Sequence, residues 1–496
     1  MITNGINSGN EDYDETIHLF SGSLDPKFVA RRKEKLIPSL LVSLVLSLHG
    51  LVSGYALGYT APVETSIVHS ETNPDGIMTM PIFTIFSSFF NIGAAVGALS
   101  TVFLSDLIGR KDTLIISLGT WSLGFLMLGV YPNQWLLIAG RIITGVALGM
   151  STSVAPMYMG EIATAKYRGM LGTLFQLMIT IGILLAYVVG TPFAKVSYGY
   201  LWVGQVGLGI SLVSLVLLVF QHRSPVWLVY KGREEEAMLA LRVLRGKTAS
   251  IQNDMSNAAN LAASKTEKYD YSIIFTKPIF MPFLLSAMLM AFQQLSGINA
   301  VIFYSTDILK EAVPEVQPEL IPLPPALVQV IVTFAASFFV DRLGRKIMLL
   351  IASFGMCASS ITIGTYFILV DKVYTNCTSV HTNNDIACHV LSPIVVIAVC
   401  CFLGFFSVAW GPIPWVFASE ILNVKLKNVT IAIVTLCSWM SSFVVTMGFP
   451  PFVNLVHEYG GFYTFAAINI IGIIFILFFL KETKGKTLEQ LQNLYS

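Results

Sequence analysis

Charge is scarce in this chain, and so is cysteine. Only 12% of the 496 residues are Asp, Glu, Lys or Arg, about half the share of a water-soluble domain. That scarcity excludes the several soluble domains that the length would otherwise permit. Six cysteines are too few for a disulfide scaffold. Four of them (Cys357, Cys400, Cys401 and Cys437) fall in apolar runs, where they read as small core residues. No glycine-rich phosphate loop ending in Gly-Lys-Ser/Thr is present, which argues against an ATP-driven pump. No constellation suited to enzyme chemistry, a metal or a cofactor stands out, so none is expected. The net charge of +1 points to no particular partner, and no nucleic acid is expected.

What remains is apolar. Hydrophobic residues make up 54% of the chain, and mean hydropathy is +0.71. A membrane-spanning helix needs about 20 predominantly apolar residues. Twelve such runs can be marked, at roughly 36–60, 80–104, 113–131, 135–158, 169–191, 200–220, 279–303, 324–341, 347–370, 392–418, 428–450 and 459–480. The expected fold is therefore an all-α membrane protein with twelve transmembrane helices in contact with the lipid bilayer.

The basic residues orient it. Of 30 Lys and Arg, all but Lys195, Lys310, Lys372 and the intraspan Arg141 lie in the N-terminal tail, in loops after even-numbered spans or in the C-terminal tail. By the positive-inside rule both termini are cytosolic. Residues 1–35 are polar, first acidic and then basic, unlike a cleavable signal peptide. The external loop 371–391 carries a glycosylation sequon at Asn376. Its Cys377 and Cys388 are free to bridge in an oxidising compartment, a pairing the sequence leaves open. A second sequon, at Asn428, faces the cytosolic end of a span and reads as chance.

Two blocks of six spans, 36–220 and 279–480, flank a polar segment at 221–278, with tails at 1–35 and 481–496. The segment contains helical stretches such as "REEEAMLALRVLRG" (233–246) and reads as a cytosolic linker with short amphipathic helices. The blocks echo each other. "DLIGRK" (106–111) follows the second span and "DRLGRK" (341–346) the eighth. Glu161 precedes Arg168, and Glu420 precedes Lys427, each by a two-turn interval that places acid and base on one helical face. One such motif would be a basic cytosolic turn; two at equivalent places point to a transporter built from repeats.

Together these motifs resemble the sugar porter family of the major facilitator superfamily. "GRIITGVALGM" (140–150) with "PMYMGEIATAKYRG" (156–169) is similar to that family's fourth span, and "QLMITIGILLAY" (176–187) to its fifth. "QQLSGINAVIFYS" (293–305) is similar to the seventh, "GPIPWVFASEI" (411–421) to the tenth and "ETKGKTL" (482–488) to the C-terminal signature. Within the family the chain looks most like insect trehalose-transporter-like carriers, relatives of the animal glucose facilitators. The resemblance implies a central sugar site between the halves, exposed alternately to each side. The positions matching its sugar-contacting amides are Gln176, Gln293, Gln294, Asn299 and Gln329. Trp415 and Trp439 match its aromatic positions, and Phe303 and Tyr304 lie at the extracellular gate.

The chemistry suits a sugar. Carboxamides offer donors and acceptors without charge and can pair with hydroxyls bidentately. An indole supplies an apolar platform for the C–H face of a ring. Such amides can also merely bridge helices in a membrane. On one straight helix Gln293, Gln294 and Asn299 would point about 0°, 100° and 240° around the axis. An unwound seventh span near Ser296–Ile298, broken at Gly297, is expected to let them converge.

Proton-coupled members of the family carry an acid in the first span, after Gly-Tyr or Gly-Phe. Here "SGYALGY" (53–59) places Ala56 there. No Asp or Glu lies deep in any span, and Arg141 lacks the acid that its family counterpart pairs with. Uniport is the reading. His49, seven residues before Ala56 and on nearly the same face, is the one titratable candidate for a proton site.

The resemblance also implies cytosolic ion pairs that close the inner side, from Asp106, Arg110, Glu161 and Arg168 in one half and Asp341, Arg345 and Glu420 in the other. Each exposed pair is worth about 1 kcal/mol or less, enough to bias two states without locking either. Three departures suggest a looser closure that favours the inward-open state. Arg223 and Val226 in "HRSPVWL" replace an acid and an arginine, Lys427-Asn428 replaces Arg-Gly, and Lys481 replaces a proline. Ser407 replaces an acid or polar residue of the glucose facilitators near the tenth-span site. The rivals are a proton symporter, a carrier of another solute and a non-transporting sugar sensor. A monomer in the plasma membrane is expected.

Overall fold

The computed structural model describes residues 36–68, 76–163, 168–245, 251–263, 274, 276–310, 316–377, 385–422 and 426–484. Among these there is no β-strand, only an isolated bridge between Val68 and Met78. Helix is what an apolar chain in lipid must form, because each backbone N–H and C=O then bonds within its own segment.

The first block comprises α1 (Leu36–Gly58), its continuation α2 (Thr60–Ile67), α3 (Met80–Leu107), α4 (Arg110–Val130), α5 (Gln134–Ile162), α6 (Arg168–Phe193) and α7 (Gly199–Val219). Short helices α8 (Pro225–Tyr230), α9 (Glu234–Arg245) and α10 (Gln252–Ala263) follow in the linker. The second block comprises α11 (Lys277–Leu295), α12 (Ile298–Phe303), α13 (Ser305–Lys310), α14 (Leu323–Leu343), α15 (Arg345–Cys377), α16 (Asp385–Phe405), α17 (Ile413–Ile421) and α18 (Lys427–Phe479). A π-helical turn, Phe406–Trp410, joins α16 to α17.

Among the described residues, ten stretches are long and apolar enough to cross a membrane, and Leu323–Phe339 is a shorter apolar helix. The 53 residues of α18 are two helices joined at a kink, enough for two crossings of a bilayer. His457 interrupts it with φ 60 and ψ 170, and Pro450 and Pro451 lie one span's length from its start. Taken as two crossings, it accounts for the eleventh and twelfth expected spans.

Small residues set the packing distance in the first block. A Cβ on Gly149 of α5 would lie 1.9 Å from the Ala94 carbonyl oxygen of α3, so these helices touch backbone to backbone. The repeat seen in sequence is repeated in conformation. Gly109 (φ +92, ψ 167) turns the chain between α3 and α4, and Gly344 (φ +95, ψ 153) between α14 and α15. The helices α5 and α17 end alike too, with Ala163 at φ −70, ψ 137 and Leu422 at φ −70, ψ 139. Those extended residues correct one expectation. Glu161 and Arg168 lie on separate helices, as do Glu420 and Lys427, so neither pair shares a helical face. The twin turns, the linker and the ends of α5 and α17 occupy one side of the bundle, the linker side.

Candidate functional site

The seventh span breaks at Gly297, which has φ +93 and ψ 7 between the end of α11 and the start of α12. Only glycine adopts that conformation without strain, and a Cβ there would also fall 2.6 Å from the Phe465 ring. Beyond the break the chain changes direction, and Gln293, Gln294 and Asn299 line a single cavity.

This cavity, about 60 Å³ in volume, lies between the two blocks, and Gln176, Gln329, Trp415 and Trp439 line it as well. All seven residues expected at the sugar site therefore surround one space. The rest of its wall is mostly apolar, including Leu148, Phe175, Ile179, Ile298 and Phe406, and no charged side chain contributes.

Hydrogen bonds fix the amides. Gln293 Nε2 donates to the main-chain oxygens of Trp410 (2.5 Å) and Gly411 (3.2 Å). Gln294 Nε2 donates to Ser438 Oγ (3.1 Å), while its Oε1 accepts from Asn299 Nδ2 (2.7 Å), which also donates to Ser442 Oγ (2.7 Å). Gln329 Oε1 is buried and makes no hydrogen bond. An acceptor left in that condition in a neutral pocket suits a hydroxyl donor from a ligand. Trp439 Nε1 lies 3.4 Å from Thr152 Oγ1 of the opposite block.

Phe303 and Tyr304 are buried beyond the cavity on the side away from the linker, and Tyr304 stacks on Phe449 and donates to the Thr446 carbonyl at 3.2 Å. Ser407 stands apart from the cavity. It is buried in the π-helical turn and does not line the cavity, whereas its neighbour Phe406 does.

His49 does not line the cavity either. Its ring nitrogens face main-chain oxygens, Nδ1 at 3.2 Å from Leu46 and Nε2 at 3.3 Å from Leu114. Arg141 donates to the Ala56 carbonyl and to Thr60 Oγ1, each at 2.8 Å, and its guanidinium lies 4.2 Å over the Phe90 ring. Backbone, hydroxyl and aromatic faces thus hold this cation, a combination that suits a weakly hydrated guanidinium. Among the described residues no carboxylate pairs with it.

On the linker side, Arg110 bonds Glu161 at 3.0 Å and approaches Asp106 at 3.5 Å. The second block repeats this with Arg345 and Glu420 at 3.0 Å. Ser224 donates to Glu161, and Asn428 donates across the blocks to Asp106. The side chains of Arg168, Asp341, Asn376, Cys377 and Cys388 lie outside the described residues. Arg223 is not left without a partner by its departure from the family pattern: it pairs with Asp112 at 2.7 Å. The carboxylate of Glu482 accepts from the backbone N–H groups of Arg345 and Lys346, both at 3.0 Å, and thereby caps α15.

The profile of the sugar (and other) transporter family matches residues 42–495. The chain belongs to this sugar transporter family. It is 32% identical over 457 residues to the facilitated glucose transporter member 8 of Bos taurus, covering 91% of this chain and 93% of that one. With the facilitated trehalose transporter Tret1 of Bombyx mori it shares 30% identity over 455 residues, covering 91% and 86%. The fold matches that of the proton:xylose symporter XylE bound to 6-bromo-6-deoxy-D-glucose, a major facilitator protein. That match has a TM-score of 0.76 and 23% identity over 92% of this chain and 99% of the other.

Several residues that position the transporter's cavity amides escaped the sequence reading. Ser438 and Ser442 hold Gln294 and Asn299, and with Thr446 they recur every fourth residue along α18, a polar stripe visible in the sequence. Thr446 accepts from Asn91 Nδ2 of the first block at 2.9 Å. The apolar lining residues carried no distinguishing signal.

Proposed function

We propose that the chain is a facilitative sugar uniporter that moves a glucose-type hexose or trehalose down its gradient by alternating access. It acts as a monomer in the plasma membrane, with the linker and both termini in the cytosol. The observation that carries this reading is the cavity wall. Five carboxamides and two tryptophans face one space, with no titratable side chain among them. A neutral polyol can be bound there by amide pairing and indole stacking. The names of the relatives supply the substrates, glucose for the Bos taurus protein and trehalose for that of Bombyx mori.

Alternation requires breakable contacts at both faces. Asn428 to Asp106 on the linker side and Lys195 to Glu319 on the other are such contacts between the blocks. Each is a single partly exposed contact worth about 1 kcal/mol, so each can be lost and regained during turnover.

Uniport is favoured over proton symport because His49, the candidate proton site, stands off the cavity wall. The test is tracer uptake of glucose and trehalose into proteoliposomes. Flux should be the same with and without a pH gradient, without alkalinisation of the medium. Proton-driven accumulation that disappears in His49→Ala would reverse the choice. Sugar binding with no flux would favour a sensor.

A further inference from the structure

The residues of α6 that line the central cavity include Gln176, Ile179 and Ile183, set at the three- and four-residue intervals that keep side chains on one helical face. Tyr187 continues that stripe one turn beyond the cavity, on the side away from the linker, and is buried. Its hydroxyl reaches across to the second block and donates to the Ile302 main-chain oxygen at 3.1 Å. Thr191 and Lys195 carry the stripe further out, and both meet Glu319. Of these three, Tyr187 is the one whose partner belongs to α12.

That partner matters because of what α12 carries. Ile298, Asn299 and Ile302, three of its six residues, line the cavity. Gln294 and Ser442 engage the amide hydrogens of Asn299, each at 2.7 Å, so its Oδ1 is the atom it offers a sugar. Where that oxygen points depends on the placement of α12. The glycine hinge at Gly297 leaves this placement to the neighbours. From its own block, α18 gives Ser442 to Asn299 and the Thr446 carbonyl to Tyr304. From the other block, Tyr187 gives a hydrogen to Ile302, in the last turn of α12, where a helix cannot supply the donors itself.

We infer that Tyr187 is a positioning residue for the sugar: its hydroxyl seats α12 so that Asn299 Oδ1 meets a sugar hydroxyl. The inference rests on the sugar-transport reading and adds to it a residue that stands off the cavity wall. If the ring served packing alone, phenylalanine would do as well. A hydroxyl that acts through Asn299 matters only while Asn299 is present.

The experiment titrates the full-length protein in detergent with glucose and reads tryptophan fluorescence, to which Trp415 and Trp439 of the cavity contribute. Uptake into proteoliposomes is measured alongside. Tyr187→Phe should raise the glucose Kd about two- to tenfold, the effect of one lost neutral hydrogen bond. In an Asn299→Ala background the same change should have little effect. Tyr55→Phe is the control, because it removes a buried hydroxyl that donates within the first block, to the Val203 carbonyl at 2.7 Å; its Kd should match wild type. Tyr187→Met, unbranched and without a donor, should reproduce the loss and serves alone should Tyr187→Phe not assemble. An unchanged Kd in the Tyr187 variants overturns the proposal, as does an equal rise in Tyr55→Phe or a rise undiminished by Asn299→Ala. Wild type that neither binds nor carries glucose overturns the transport reading itself.

Discussion

Lys195 and Glu319 join the two helical blocks on the side away from the linker, with Nζ and Oε1 2.8 Å apart. The carboxylate is buried and the ammonium exposed, so water screens only one end of the pair. Thr191 reinforces the contact by donating to the Glu319 main-chain oxygen at 3.3 Å. Glu319→Gln removes the charge while keeping the shape. The cavity should then open more often to this side, by about two- to fivefold for a partly exposed pair. Labelling a cysteine introduced at Ile183, in a background without the native cysteines, reads the change; an unaltered labelling rate would show that the pair closes nothing.

Gly411 faces Gln176 across the cavity wall, and a Cβ added there would lie 3.0 Å from Gln176 Nε2. The backbone at this residue has φ −62, comfortable for alanine. Gly411→Ala should therefore leave the melting temperature nearly unchanged while it displaces the amide. The expected effect is a KM for sugar raised about two- to tenfold, the worth of one neutral hydrogen bond. A normal KM would remove Gln176 from the binding set.

Gly297→Ala has no such tolerance. It puts a side chain at φ +93, which costs about 1–3 kcal/mol, and drives its Cβ against Phe465. Thermal stability in detergent should fall clearly. Phe465→Leu added to it should recover part of the loss, since it relieves the clash but not the backbone strain. Full recovery would mean that the left-handed conformation is dispensable.

Glu482 gives a pH dependence with a definite sign. Burial alone would raise its carboxyl, but backbone N–H donors from Lys484, Arg345, Lys346 and Thr483 outweigh burial and hold it below the usual carboxylate range. A depressed native value means that the cap on α15 contributes fully above the ordinary carboxylate range and is lost as pH falls through the depressed value. Amide protection at Arg345 and Lys346, normalised for intrinsic exchange, should be flat near neutrality and decline only in acid. Glu482→Gln should lower that protection throughout, and equal protection in the variant would sink the assignment.

Much of this molecule is legible in residue order because lipid imposes simple rules. Hydropathy marked the spans, the twin Asp-x-x-Gly-Arg-Lys turns revealed the repeat, and Gly297 between polar residues announced the broken span. The misreading at Glu161 and Arg168 has a physical cause. Ala163 and Leu422 leave the helix in extended conformation, yet neither is a proline or glycine, so spacing alone suggested one continuous face. Contacts such as Asn428 with Asp106 or Arg223 with Asp112 join residues 322 and 111 positions apart. Only the packed fold brings them together.

The uncharged wall of the central cavity has an electrical consequence. Moving one elementary charge through a membrane potential changes its energy by about 2.3 kcal/mol per 100 mV. A neutral solute carried in a pocket without charged side chains takes no part in that exchange. For such a carrier the resting voltage neither drives nor opposes the step that reorients the sugar. In the proposed uniporter, concentration alone would set the direction of net flow, in an excitable cell as in a quiet one.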